Sequence, residues 1–453
     1  MNNLKVGFSR VDVTPMRGIG IGGYTIPRNV EGILDNLNAS AVALEAGEKR
    51  AVIISVDNLH ISTNICDKYR EMVAKAAGIA PEAVFIHCTH THTGPYVDPT
   101  KRMARDTADL VQEYQDFLGK RIADVVAEAF DALQPAKMGV AVGHAPNIAF
   151  VRRFRMKDGS VKTNPGVDHP DILAPIGDVD ERVNVIRFDL EDGSHVVVAN
   201  FGCHPDTIGG NFISGDWPAF CYRTVEKALD NTHCIFFNGA QGDVNHVNVH
   251  PKAGDMNNMF IDFDDVARGY SHARHMGQVV AGSILQVWEK VAYSDVDTIN
   301  FAQTTVEVPS NKPTPDQLPE AHRICELHNA GRDCDIPFEG MMLTTVVAEA
   351  GRMVRLENAP DTFPMRFSAV SIGNVVMVGV PGEPFTGIGR GIKEAEGWDM
   401  VLPCCLTNGA EGYFPMKDAY DEGGYEARSS NFKAGAAELI IVEGKKLADS
   451  LRK

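Results

Sequence analysis

The sequence lacks the long apolar stretches that mark membrane proteins. None of its hydrophobic runs approaches the ~20 residues of a transmembrane helix, although hydrophobic residues make up 44% of the 453-residue chain. The N-terminal segment MNNLKVGFSRVDVTP also has no basic part followed by an apolar part, as a signal peptide has. We therefore expect a globular protein in the cytoplasm, without stable membrane insertion.

Positive charge is also scarce. The chain has 43 Lys and Arg residues against 60 Asp and Glu residues, which gives a formal net charge of −17. Proteins that bind nucleic acids or anionic membrane surfaces need a basic surface. The charge balance therefore argues against both partners and favours a small-molecule substrate.

The nine cysteines form no CxxC pair and have no zinc-ribbon spacing. Their number is odd, and several stand inside apolar runs such as FGCHP and HCIFFNG, where buried free thiols are common. This usage predicts a reduced protein without a disulfide framework, as is typical of the cytoplasm.

The hydrophobic patterns predict strands and helices that alternate along the chain. Strands are expected at 50–58 and 83–90, hairpins at 183–202 and 363–382, and helices at 64–78, 109–133, 217–230, 265–291 and about 432–451. The predicted fold class is therefore α/β (α+β), with mixed β-sheets flanked by helices. We expect one catalytic domain over 1–453, in which the proline-rich segment 309–320 is a surface loop or a junction.

Four residues that could bind a metal stand just after predicted strands. His90 lies in CTHTHTGPYV, His204 in NFGCHPDT, Glu383 in VPGEPFT and Tyr413 in GAEGYFP. His92, two residues beyond His90, would point the same way, because side chains alternate along a strand. Each residue alone also fits a turn, but four together predict a metal site at the carboxyl ends of the strands.

Several motifs along the chain resemble those of the neutral/alkaline, non-lysosomal ceramidases, the zinc amidases that split ceramide into fatty acid and sphingosine. The matching segments are THTHTGP (89–95), His204-Pro205, Ser214-Gly215-Asp216, PGEPFTGIGR (381–390) and YFPMKDAYDEGGYE (413–426). The last segment has Tyr413, Tyr420 and Tyr425-Glu426 at the spacing of that family. The resemblance covers nearly the whole chain.

The resemblance implies one Zn²⁺ per chain, held by the side chains of His90, His204, Glu383 and Tyr413. It implies that His92 is the acid/base beside the metal's water, and that Tyr425 donates a hydrogen bond to the developing oxyanion. This set meets the needs of amide hydrolysis, since zinc activates water, a phenol shares the oxyanion and an imidazole moves the proton.

The sequence also departs from the family. Ceramidases carry a further C-terminal domain, so we expect a short, soluble N-acyl amide as substrate rather than ceramide in a membrane. The family's substrate-binding Asn-Arg-Ser stretch appears as NIAFVRRFRMKDG (147–159), where Arg152 or Arg153 would meet the substrate. A basic strand and hairpin fit that segment equally well.

Two alternatives to an amidase stay open. A zinc hydrolase could attack an ester, lactam or phosphoester at the same site, or the chain could be a non-catalytic binding protein with the same fold. The sequence leaves open the acyl group, the amine, the oligomeric state and the binding of a second metal.

Overall fold

The computed structural model describes residues 3–99, 107–253 and 269–452. The described strands up to residue 245 are β1 Leu4–Asp12, β2 Gly20–Ile21, β3 Arg28–Asn29, β4 Gly32–Ile33, β5 Asn38–Ala46, β6 Lys49–Val56, β7 Val84–Cys88, β8 Gln134–His144, β9 Phe150–Val151, β10 Arg153–Met156, β11 Val161–Thr163, β12 Ile172–Pro175, β13 Arg182–Leu190, β14 His195–Phe201, β15 Phe212–Ile213, β16 Thr232–Asn238 and β17 Val244–Asn245. The later strands are β18 Ala292–Ser294, β19 Ile299–Pro309, β20 Thr362–Ile372, β21 Val375–Gly379, β22 Glu383–Pro384, β23 Met400–Cys404 and β24 Tyr413–Phe414.

The described α-helices are α1 Thr63–Ala77, α2 Ala108–Asp131, α3 Asp216–Ala228, α4 Tyr270–Val287, α5 Leu318–Asn329, α6 Gly340–Leu356, α7 Thr386–Lys393, α8 Lys417–Glu422, α9 Tyr425–Ser429 and α10 Ala436–Ser450. Short 3-10 turns lie at Pro81–Ala83, Trp288–Lys290 and Asp333–Asp335. The helix predicted over 265–291 corresponds to α4, and its first four predicted residues lie outside the described part of the chain. Among the described helices, none is both long and apolar enough to cross a membrane.

Two mixed sheets pack face to face between layers of helices. The larger sheet has the strand order β16-β14-β13-β8-β1-β5-β6-β7, and the smaller sheet has the order β19-β20-β21-β23. Inward-facing apolar residues of both sheets form one buried cluster. Helices α1 to α4 cover the other face of the larger sheet, and α7 and α10 cover that of the smaller sheet. The predicted class of mixed sheets flanked by helices is confirmed.

The side chains of the central strands point alternately to the two faces of the larger sheet, and both faces are buried. In β6, Val52 and Ile54 face the helices, whereas Ala51 and Ile53 face the second sheet. Because successive strand residues point to opposite faces, a strand between two apolar layers must be apolar throughout. The run AVIISV (51–56) meets that requirement except at Ser55, whose hydroxyl donates a hydrogen bond of 2.6 Å to the carbonyl oxygen of Phe236.

The two edge strands of the larger sheet, β7 and β16, approach each other. The Nε2 atom of His87 on β7 accepts the backbone N–H of Asn238 on β16 at 2.9 Å, and the rings of Phe85 and Phe237 are 6.2 Å apart. The Nδ1 of His87 also meets the carbonyl oxygen of Cys405, just beyond β23, at 2.7 Å. The curled sheet therefore brings the ends of β7, β16 and β23 to one place, and the pairing of Phe201 with Asn238 adds the end of β14.

The proline-rich segment predicted as a loop or junction lies between β19, which ends at Pro309, and α5, which begins at Leu318. Ser310 pairs with Phe432 in an isolated bridge, so the start of this connection is tied to the C-terminal part of the chain. That the chain is a single catalytic domain stays a prediction.

Candidate metal centre

His90 is presented by a strained turn that follows β7. Its backbone has φ +75°, in the left-handed region that non-glycine residues rarely adopt, and such strain is often found at functional sites. The ring faces the carbonyl oxygen of Leu59, 2.8 Å from Nδ1. A carbonyl only accepts, so Nδ1 carries the proton and Nε2 of the neutral ring presents a lone pair.

His204 lies in the segment that follows β14. It is fully buried, and its Nδ1 lies 3.3 Å from the carbonyl oxygen of Gln241, which assigns the proton to Nδ1. Burial, followed by the charges of Arg152 and His90, lowers the pKa of His204 to about 3. The ring is therefore neutral at pH 7, and its Nε2 is also an acceptor.

Glu383 and Tyr413 are direct partners in the short parallel ladder of β22 and β24. The ladder places both side chains beside the histidines: the rings of His204 and Tyr413 are nearly parallel, with centroids 6.3 Å apart. Burial raises the pKa of the Glu383 carboxyl, whereas Arg152 and the facing histidines, when they are protonated, lower it. Burial and the Glu383 charge raise the pKa of Tyr413 well above its ordinary value, so the phenol is neutral unless a cation is bound.

When both imidazoles are neutral, the atoms that converge here are all hydrogen-bond acceptors. The Nε2 atoms of His90 and His204 are 3.2 Å apart, and Oε2 of Glu383 lies 3.2 Å and 3.4 Å from them. This buried carboxylate oxygen accepts no hydrogen bond. Ligand atoms about 2.0–2.1 Å from a tetrahedral zinc lie roughly 3.3–3.4 Å from one another. The side chains therefore fit a zinc-sized cation in both chemistry and spacing.

His92 is the third histidine at this place. Its Nε2 lies 3.3 Å from Nε2 of His90, and the two rings meet edge to face. His90, His92 and His204 form a group able to hold a metal ion, with ligand atoms within 4.8 Å of one another. Burial lowers the pKa of His92 well below its ordinary value, and the facing histidines lower it further.

The hairpin of β2 and β3 packs directly on His92. A Cβ on Gly23 would lie 2.9 Å from both Cγ and Nδ1 of the imidazole. The ring of Tyr24 meets the His92 ring at a centroid distance of 5.3 Å, and Arg28 donates a hydrogen bond of 2.7 Å to the His92 carbonyl. Sequence patterns gave no sign of this contact, because the residues are far apart in the chain.

Tyr425, at the start of α9, lies on the Tyr413 side of the centre. The two tyrosine rings meet at a centroid distance of 5.6 Å. The structure thus brings together all six residues that the sequence placed at the metal site. Their individual roles stay predictions.

Arg152 and Arg153 lie next to the centre but are both only 4% exposed. Arg152 forms an ion pair of 2.7 Å with Glu426, and Arg153 forms one of 3.0 Å with Glu422. Contact of either guanidinium group with a substrate stays a prediction.

Comparison with known proteins gives matches in structure alone. No protein-family model matches the chain, and no curated protein matches its sequence. The neutral ceramidase from Pseudomonas aeruginosa superposes with a TM-score of 0.73 at 17% sequence identity, covering 100% of this chain and 75% of the ceramidase chain. A second structure, a ceramidase complexed with C2, gives a TM-score of 0.72 at 17% identity over 100% of this chain and 76% of that chain. The predicted resemblance to neutral ceramidases is confirmed at the level of the fold.

Proposed function

We propose that this protein is a zinc-dependent hydrolase of linear amides, acting on a small N-acyl amine. The observation that carries the proposal is the convergence of Nε2 of His90, Nε2 of His204 and Oε2 of Glu383 within 3.4 Å of one another. A buried carboxylate without a donor is costly unless a cation is bound. The ceramidase fold supports amide hydrolysis as the reaction.

The residues that would hold one zinc ion are His90, His204, Glu383 and Tyr413. When bound, zinc supplies Lewis acidity, which polarises a carbonyl group and makes water nucleophilic near neutral pH. The carbonyls of Leu59 and Gln241 keep both imidazoles in the tautomer that leaves Nε2 free. Such partners of ligand histidines typically raise metal affinity by fixing tautomer and ring orientation.

His92 and Tyr425 would complete the reaction. His92 takes a proton at Nε2 from the attacking water and returns it to the leaving nitrogen. Tyr425 donates its hydroxyl hydrogen to the oxygen that becomes negative as the carbonyl turns tetrahedral. Burial keeps the His92 imidazole neutral before the reaction, so it is ready to act as a base.

The nine cysteines are free thiols, which supports a reducing compartment such as the cytoplasm. The negative net charge of −17 supports a small-molecule partner over a nucleic acid.

The direct test is hydrolysis of a fluorogenic N-acyl amide by metal-loaded protein, before and after chelation. We expect release of one amine and one carboxylic acid, loss of activity on chelation and recovery with Zn²⁺. An ester of the same acyl group serves as the comparison substrate. Cleavage of the ester with no measurable cleavage of any N-acyl amide would contradict the proposed reaction.

A further inference from the structure

Glu426 is a fully buried carboxylate beside the metal centre that the proposed mechanism does not use. It follows Tyr425 directly in α9 and is 0% exposed. Its Oε1 pairs with Nε of Arg152 at 2.7 Å, and its Oε2 accepts the hydroxyl hydrogen of Thr163 at 2.9 Å. Each carboxylate oxygen of Glu426 thus faces a side chain from another part of the chain.

Arg152 connects Glu426 with Tyr413. Its Nη2 donates to the carbonyl oxygen of Gly242 at 2.6 Å, which holds the guanidinium beside the Tyr413 ring. The guanidinium carbon lies 5.3 Å from the centre of the Tyr413 ring. With Glu426 on one side and a backbone carbonyl on another, Arg152 holds one orientation against that ring.

Thr163 connects Glu426 with Tyr425. Its hydroxyl oxygen accepts the backbone N–H of Tyr425 at 3.3 Å while it donates to the Glu426 carboxylate. Thr163 is 4% exposed and stands at the end of β11, so it fixes the first turn of α9 to the strands beside the centre. The five-residue helix that presents Tyr425 is therefore anchored at its first two residues.

We propose that Glu426 is a positioning residue for both tyrosines of the metal centre, acting on Tyr413 through Arg152 and on Tyr425 through Thr163 and the backbone of α9. The inference rests on the proposed function. An ion pair buried this deeply is weak evidence for stability, because desolvation offsets most of the attraction. Because Glu426 is connected to both site tyrosines through Arg152 and Thr163, we assign it the role of orienting their side chains.

The test is the zinc dissociation constant of Glu426→Gln, measured by chelator competition. Loss of a group that orients a metal ligand typically lowers metal affinity by about 10- to 100-fold. Because Tyr413 is a proposed ligand, we expect Glu426→Gln to bind zinc more weakly by a factor in that range. Glu349→Gln is the matched control: it removes the carboxylate charge that pairs with Arg428 at the other end of α9, where Nε of Arg428 donates to Glu349 at 2.9 Å. We expect the control to bind zinc like the wild type. Equal affinity of Glu426→Gln and wild type would overturn the proposal.

A second measurement locates the hydroxyl groups of the two tyrosines directly. In a crystal structure of metal-free Glu426→Gln, the hydroxyl groups of Tyr413 and Tyr425 should move by about 1 Å or more, beyond the ~0.5 Å that functional sites tolerate. If that variant does not fold, Thr163→Val removes only the hydroxyl and should move Tyr425 in the same way. Unmoved tyrosines would overturn the inference. A wild-type protein that binds no zinc would overturn the proposed function alone, because this readout needs no metal.

Discussion

The Nε2 atoms of His90 and His204 lie 3.2 Å apart, although the chain places them 114 positions from each other, and in the neutral rings neither atom carries a proton. The protons are on the opposite nitrogens, which face the carbonyls of Leu59 and Gln241. Two facing lone pairs repel each other unless a cation lies between them. This relationship makes the site a candidate metal centre rather than a hydrogen-bonded histidine pair.

The first prediction separates the two histidines of the motif THTHTGP. His90→Ala should lose zinc and activity together, because His90 is a proposed ligand. His92→Ala should retain zinc and lower kcat by roughly 10²-fold or more, the typical share of acid/base catalysis. Metal content and steady-state kinetics of the two purified variants provide the comparison.

Equal loss of zinc from both variants would show that both rings are ligands. The 3.3 Å between the Nε2 atoms makes this outcome a real alternative. The centre would then be a three-histidine site or a binuclear one, and another group would have to move the proton.

The second prediction concerns Tyr425. Tyr425→Phe should keep the metal and cost about 3 kcal/mol of transition-state stabilisation, the scale of one lost oxyanion donor. The control is Tyr420→Phe, because the Tyr420 hydroxyl donates to the carbonyl of Phe432 at 2.8 Å and is assigned no part in the reaction. The control should lose about 1 kcal/mol of stability and no activity. A Tyr425→Phe enzyme with wild-type kcat would remove the oxyanion role.

The third prediction concerns the hairpin that packs on His92. Gly23→Ala places a Cβ 2.9 Å from the imidazole and forces a non-glycine residue to φ +106°. The ring must then move, so we expect kcat to fall by about 10-fold or more, since small misplacements at active sites are costly. Gly159→Ala has a similar φ of +84° but open space around the new Cβ, and it controls for backbone strain. Equal activities of the two variants would show that His92 does not depend on this contact.

The fold was predictable where the pattern is local. The predicted strand over 50–58 corresponds to β6 at Lys49–Val56, and the predicted helix over 109–133 corresponds to α2 at Ala108–Asp131. Both follow from a period that neighbouring residues establish. Five of the six candidate site residues were indicated in sequence by their positions just after predicted strands, whose ends meet at one edge. Tyr425 was indicated only by the resemblance to the ceramidases.

The partners of those residues were not predictable. His90 and His204 are oriented by the carbonyls of Leu59 and Gln241, and every residue has a carbonyl, so the sequence carries no signal for them. The curling of the larger sheet, with His87 facing Asn238, depends on tertiary packing. Glu426 was visible only as part of a motif, since its role depends on Arg152 from a distant segment.

The fourth prediction uses pH and the buried imidazole of His87. Burial lowers its pKa to about 3, and both ring nitrogens already have backbone partners. Below pH 6.5 the unfolded chain binds a proton at His87, whereas this imidazole stays neutral in the folded chain until the pH approaches 3. The stability from this group is therefore fully present above pH 6.5 and is lost as the pH falls toward 3, by about 1.4 kcal/mol per pH unit.

Ring ¹⁵N chemical shifts of the folded protein at pH 5 test this directly. They should show His87 neutral, with the proton on Nδ1, which faces the Cys405 carbonyl. A His87 ring that titrates near pH 6.5 in the folded protein would contradict the proposed cause.

The most direct test of the metal centre is the zinc content of purified protein by mass spectrometry, compared between wild type, His204→Ala and the control His233→Gln, whose ring stacks on Phe8 far along the sheet. We predict about one zinc per chain in the wild type and the control, and almost none in His204→Ala. Full zinc occupancy in His204→Ala, or a wild-type protein that binds no zinc when the ion is supplied, would contradict the account.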